Sequence, residues 1–174
     1  MGFLDTDEFI VVTNTSLRIH DRLRDFEEFG GLTLNWKMFG SSSHVNRPPG
    51  GVLGNYHKCY ETRQVKSIVN TKYTLSTSGD PHTFIYTTNH TSVDIQKKIS
   101  RGPLHPRKSS AIPHFLFDKM YINHYCTKSR QDFTVKIAKG RADYNSGGVH
   151  RTIEYFDKIN SLAVNDCGLL HMPK

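Results

Sequence analysis

Cysteine is scarce in this 174-residue chain, with three residues at Cys59, Cys126 and Cys167. None belongs to a CxxC pair, and an odd number at wide spacing argues against a disulfide framework and a zinc knuckle. A reducing compartment is the resulting expectation. Long apolar runs are missing too, and the longest falls far short of the roughly 18 residues a membrane span needs. No basic region precedes an apolar stretch at the start, so no secretion signal is read there. Repeats and low-complexity tracts are absent, which excludes solenoids and biased linkers.

What remains is an ordinary globular composition, 36% hydrophobic and 22% charged. The length suits one domain over residues 1–174. Lysine and arginine number 23 against 16 acids, a net charge of +7. That surplus suits a phosphate-bearing partner, whether nucleic acid, membrane surface or sugar nucleotide. Asn14-Thr15-Ser16 and Asn89-His90-Thr91 match the N-glycosylation triplet, which matters only in a secreted chain.

Phe3 to Val12 reads as a strand interrupted by Asp5, Asp7 and Glu8. Thr15 or Ser16 caps a helix through Phe29, ended by Gly30-Gly31. "LTLNWKMFG" alternates apolar and polar residues and predicts a half-buried strand. "GSSSHVNRPPGGVLGNY" is a loop long enough to be functional. "QVKSIVN", "HTFIYTT" and "KMYINHY" are further strands, the last with Met120, Ile122 and His124 on one face. "SRGPLHPRKSSAIPH" is a basic, proline-punctuated excursion. Ser129 opens a capping box and a helix ending at Gly140. A last helix runs from about Thr152 to Leu162, with Tyr155 and Ile159 inward. The class is α/β, a mixed sheet flanked by helices.

Several residues could carry chemistry. On a strand, Asp5 and Asp7 point the same way, and two such carboxylates are reconciled by a hard divalent ion such as Mg²⁺ or Mn²⁺. The alternative is a strand end with solvated acids. Lys128 and Ser129 sit at a helix start, where free N–H groups favour anions. Lys136, Lys139 and Arg141 extend that field, and His124 is a further metal-ligand candidate. The competing readings are a core histidine and a solvated lysine face. Trp36 and Phe39 flank Gly40, Ser41 and His44, an aromatic and hydroxyl grouping that suits a sugar, although a lone tryptophan is commonly core. His82, Asp80 and His44 are candidate bases.

In chain order, "DTDEF", "LNWKMFGSSSH", "VKSIVN", "PHTF" and "NHYCTKSRQDFTVKIAKGRAD" resemble glycosyltransferase family 92 and related family-2-like enzymes. The last block is the most specific, and the resemblance covers nearly the whole chain. It implies a GT-A type fold and transfer from a nucleotide-diphosphate sugar, UDP- or GDP-linked, to a glycan or other hydroxyl acceptor. It implies that Asp5 and Asp7 hold Mn²⁺ or Mg²⁺ with His124 as a third ligand, and that Lys128 and Ser129 grip the diphosphate. Many members have glycine where this chain has Ser43. The usual double glutamate of the distal helix is Gln131-Asp132, and the usual arginine-glycine is Lys139-Gly140.

In such enzymes a nucleotide-binding half precedes the D-x-D strand. The expectation is therefore a partial GT-A fold lacking that half. It carries weak donor binding, slow turnover, an exposed sheet edge open to association, and membrane attachment only through a missing segment. Two other functions are weighed beside it. One is a basic nucleic-acid-binding module, disfavoured because the basic residues are dispersed. The other is a catalytically dead remnant serving as an interaction partner.

Overall fold

The computed structural model describes residues 1–14, 16–77, 82–100, 115–140 and 151–168. The chain forms two compact units, the first from Met1–Lys37 and Glu61–Asn123, the second from Met38–Tyr60 and His124–Met172. The mixed α/β class is as expected. Thr15, Asp80, Arg141 and the proline-rich stretch 101–114 lie outside the described residues.

The first unit holds β1 (Glu8–Val12), α1 (Ile19–Arg24), most of β2 (Gly31–Phe39) and β3 (Lys58–Val69), then β4 (Thr74–Thr77), β5 (Phe84–Tyr86), β6 (Ser92–Val93) and most of β7 (Met120–His124). Strand order is β1-β7-β2-β3, with β6 parallel to β2 at Gly31 and Leu32. β2 and β3 run antiparallel, since Asn70 N–H donates to the Gly30 carbonyl while Asn35 and Trp36 bond Thr62. β4 and β5 form a separate antiparallel pair.

β2 is not half-buried as its alternation suggested. Leu32 and Leu34 are buried, and so are Thr33 and Asn35 on the opposite face. Burying those polar side chains is tolerable because each has partners. Thr33 Oγ1 bonds the Val93 carbonyl and lies 2.6 Å from Ser100 Oγ, while Asn35 donates to the Thr62 carbonyl and accepts from Leu116 N–H. A side chain added at Gly30 would lie 2.6 Å from the Tyr86 ring, so the glycine there serves close packing.

Two expected elements are shorter. The strand from Phe3 starts only at Glu8, because Asp5–Glu8 closes as a turn with Glu8 N–H donating to the Asp5 carbonyl. The helix expected to reach Phe29 is regular only over Ile19–Arg24, and Arg18, not Ser16, is its N-cap.

The second unit contains α2 (Val52–Asn55), α3 (Arg130–Lys139), α4 (Ile153–Leu162) and β8 (Asn165–Asp166), the last paired antiparallel with Lys58 and Cys59. Ser129 caps α3 by accepting from Asp132 N–H, and Gly140 ends it at φ +70°, both as the sequence predicts. Thr152 likewise caps α4. Phe133 on α3 packs on Phe156 of α4 with ring centroids 5.3 Å apart. Phe156 and Ile159 face the core of this unit, whereas Tyr155 is 41% exposed, against expectation.

Cys59 and Cys167 are joined in a disulfide, and Cys126 is buried. This overturns the reading that the cysteines lie too far apart to pair: 108 residues of sequence separate two that meet beside the β3–β8 ladder. The inference to a reducing compartment loses its premise, since structural disulfides persist under oxidising conditions.

Candidate active site

The amino-terminal acids meet a lysine. Lys66 on β3 is buried, and its ammonium lies 2.9 Å from Glu8 and 3.2 Å from Asp5. Asp5 N–H donates to the Glu8 carboxylate, tightening the turn. Because Asp5 and Asp7 belong to a turn, strand alternation does not orient them. The Asp5 side chain is 68% exposed, while Asp7 is buried. Two carboxylates are nonetheless the oxygen donors a hard ion prefers, especially one that keeps waters or phosphates in its shell. Among the described residues, no three His, Cys, Asp or Glu side chains gather as a metal-ion cluster. His124, the expected third ligand, is buried at the end of β7 and belongs to the second unit.

The serine-rich segment builds a pocket in the second unit. His44 N–H donates to the Ser41 carbonyl, and Ser42 and Ser43 take φ of +49° and +67°. Two positive φ values inside an i to i+3 bond are the signature of a type I′ turn. Each serine is tied differently. Ser41 donates from N–H and Oγ to Asn160 Oδ1, both at 2.7 Å, and Ser42 Oγ accepts from His57 and Lys58 N–H groups. Gly40 lies so close to α4 that a Cβ would fall 2.8 Å from Ala163 and 2.9 Å from Asn160.

The turn, Asn160, Lys58, Arg130 and Phe156 line a cavity of about 280 Å³. His44 Nε2 lies 3.1 Å from the Asn55 carbonyl. A carbonyl can only accept, so Nε2 carries the proton and the neutral ring keeps its lone pair on Nδ1. The His44 ring thus lines the cavity together with hydroxyl and amide groups.

The start of α3 is not the open anion site its sequence suggested. Arg130 N–H donates to the His44 carbonyl, Gln131 N–H to Val45, Asp132 N–H to Ser129 Oγ, and Ser129 N–H to the Tyr56 hydroxyl. The donors that would hold a phosphate hold the serine-rich loop instead. Ser129 is fully buried, its hydroxyl spent on Asp132. Lys136 donates to the Cys126 carbonyl at 2.9 Å, Lys128 is half-buried at φ +55°, and Lys139 is exposed.

Asp132 is the electrostatic centre of this docking. Partial burial pushes its carboxyl up, but hydrogen bonds from Arg47 and Ser129 outweigh that and hold it below its ordinary value. Arg47 donates from Nε at 2.6 Å and also ion-pairs through a terminal nitrogen.

The remaining candidates divide. Phe39 is 1% exposed and stacks on Tyr125 at 4.3 Å, so it is a core ring and not an open sugar platform. Trp36 is also buried, edge-on to His82 at 5.1 Å. His82 Nδ1 lies 3.0 Å from the Val65 carbonyl in the first unit. Of the sequence candidates, Ser41 and His44 therefore share one cavity, with Gly40 beneath them. Sequence reading missed Asn160, Arg130, Phe156 and Lys58, because their approach to the turn depends on how α3, α4 and β3 pack. A second cavity of about 360 Å³, in the first unit, is lined by Arg22, Lys97 and Lys119 with Asp25 as the facing acid.

A mixed sheet with flanking helices fits a glycosyltransferase-like α/β fold. The model of glycosyltransferase family 92 matches residues 1–146, and the chain belongs to that family. No curated protein matches the sequence.

Proposed function

We propose that this chain is a metal-dependent GT-A glycosyltransferase that moves a sugar from a nucleotide-diphosphate donor to an acceptor hydroxyl. Family membership supports glycosyl transfer. The observation that carries the acceptor side is His44, on a braced turn, lining a cavity with Ser41 and Asn160. Hydroxyls, an amide and the Lys58 and Arg130 cations supply the donors and acceptors that sugar hydroxyls need. The Phe156 ring adds an apolar wall.

In this reading the acceptor enters the cavity and its nucleophilic hydroxyl loses a proton to His44 Nδ1. The Asn55 carbonyl fixes the tautomer and stabilises the imidazolium that forms. Asp5 and Asp7 would hold Mg²⁺ or Mn²⁺ beside the donor diphosphate, and the ion would supply neutralisation of the leaving group's charge. Lys66 shares Asp5 and limits how much negative charge the two acids present.

Calorimetry with UDP and GDP, with and without Mn²⁺, tests the donor side. The expected result is nucleotide binding that requires Mn²⁺ and weakens at least tenfold in Asp7→Asn. A transfer assay tests the acceptor side: His44→Gln should lower kcat by about 100-fold or more, the range for loss of a general base, with little change in KM. Metal-independent nucleotide binding, or full turnover in His44→Gln, would sink the reading. Oligonucleotide binding that falls steeply with salt would favour the nucleic-acid alternative.

A further inference from the structure

Two N-glycosylation triplets occur in the chain, and the structure separates them. Asn14 Oδ1 accepts from Ser16 N–H at 3.0 Å, which ties that side chain to the backbone through its oxygen and leaves Nδ2 out of the bond. Asn89 is different. It occupies the tip of a turn in which His90 N–H donates to the Thr87 carbonyl, at φ +69°, a left-handed conformation asparagine tolerates. The turn is held from behind. His90 stacks on Tyr73 with centroids 3.7 Å apart, its Nδ1 lies 3.1 Å from Thr87 Oγ1, and the Thr91 carbonyl accepts from Gly30 N–H. The Asn89 side chain itself is exposed, with no hydrogen bond to it among the described residues.

A second observation concerns the compartment. The enzyme class that modifies such triplets works where disulfides form, and Cys59 is bonded to Cys167. The third cysteine, Cys126, is buried. Triplet, accessible turn and disulfide belong to one environment.

We infer that Asn89 is an N-glycosylation site. The co-reactant is a lipid-linked oligosaccharyl diphosphate. The Asn89 Nδ2–C1 bond forms as the C1–O bond to the diphosphate breaks. The lipid diphosphate leaves with the bonding electron pair, and one Nδ2 proton is released. The Thr91 hydroxyl is the element of the triplet that admits the asparagine to that reaction.

The test is to express the full chain through the secretory pathway of eukaryotic cells and digest it with a peptide N-glycosidase. One mobility shift is expected, with mass spectrometry locating the asparagine-to-aspartate conversion at position 89. Asn89→Gly, which keeps the left-handed backbone, and Thr91→Ala should each abolish the shift, while Asn14→Gln leaves it intact. Non-reducing electrophoresis of each variant should show the Cys59–Cys167 bond, which separates loss of the glycan from failure to fold. An unmodified secreted chain, or a shift that persists in Asn89→Gly and maps to Asn14, would overturn the assignment.

Discussion

The Lys66 ammonium lies 2.9 Å from the Glu8 carboxylate, both side chains almost completely removed from solvent. A charge buried without its partner is costly, and breaking such a pair typically costs about 3–5 kcal/mol. Lys66→Met should therefore destabilise the protein by about that amount, because Glu8 is left charged or is forced to take up a proton. Removing both charges should restore much of the loss. In denaturant unfolding, Lys66→Met/Glu8→Leu should be more stable than Lys66→Met alone. Additive losses in the two single variants and the double variant would show the pair to be uncoupled.

Ser42 and Ser43 occupy the same backbone region yet should respond oppositely to glycine. Left-handed φ costs an L-residue roughly 1–2 kcal/mol, and glycine avoids that cost at some loss of unfolded-state entropy. At Ser43 the exchange should raise stability by about 0.5–1 kcal/mol. Ser42→Gly should lower stability, because its hydroxyl serves the His57 and Lys58 N–H groups. Thermal unfolding of both variants decides it, and shifts of equal sign would rule out the turn geometry.

How much of this was legible in the sequence follows from the range of the interactions. The α3 cap was readable because Ser129 and Asp132 are three residues apart and satisfy each other. The family resemblance was readable because motif order survives any packing. β2 was misread as half-buried because Thr33 and Asn35 find partners 60 or more residues away, at Val93 and Leu116. The α3 start looked open to anions for the same reason, since nothing local reveals that the His44 and Val45 carbonyls occupy it. Asp5 and Asp7 were assigned a common direction by strand periodicity, which a turn abolishes.

The Cys59–Cys167 bond closes a loop of 108 residues. Disulfides typically contribute about 2–4 kcal/mol, and restricting the unfolded chain over a loop this long lies at or above the top of that range. Cys167→Ser should lose that stability under oxidising conditions, and reductant should lower the melting temperature of the wild type but not of the variant. A wild type indifferent to reductant would contradict the bond. Cys126→Ser, by contrast, should keep the full response to reductant.

Asp132 links the site to pH. Its folded-state value lies below the ordinary carboxylate pKa because Arg47 and Ser129 donate to it. A carboxyl depressed on folding contributes stability above its unfolded value, near 3.9, and loses it as pH falls through the lower folded value. Asp132→Asn never carries that contribution. The gap in melting temperature between wild type and Asp132→Asn should therefore be constant from neutrality down to about pH 5 and close below about pH 4. The same protonation weakens the hold of Arg47 on α3, so the serine-rich loop that α3 anchors should loosen over that window. Protection of the Arg130 and Gln131 amides, which donate to the His44 and Val45 carbonyls, should then fall relative to intrinsic exchange in the wild type as acid is added, while Asp132→Asn shows the lower protection at every pH. A gap that stays open to pH 2 would mean that Asp132 is not the group that titrates.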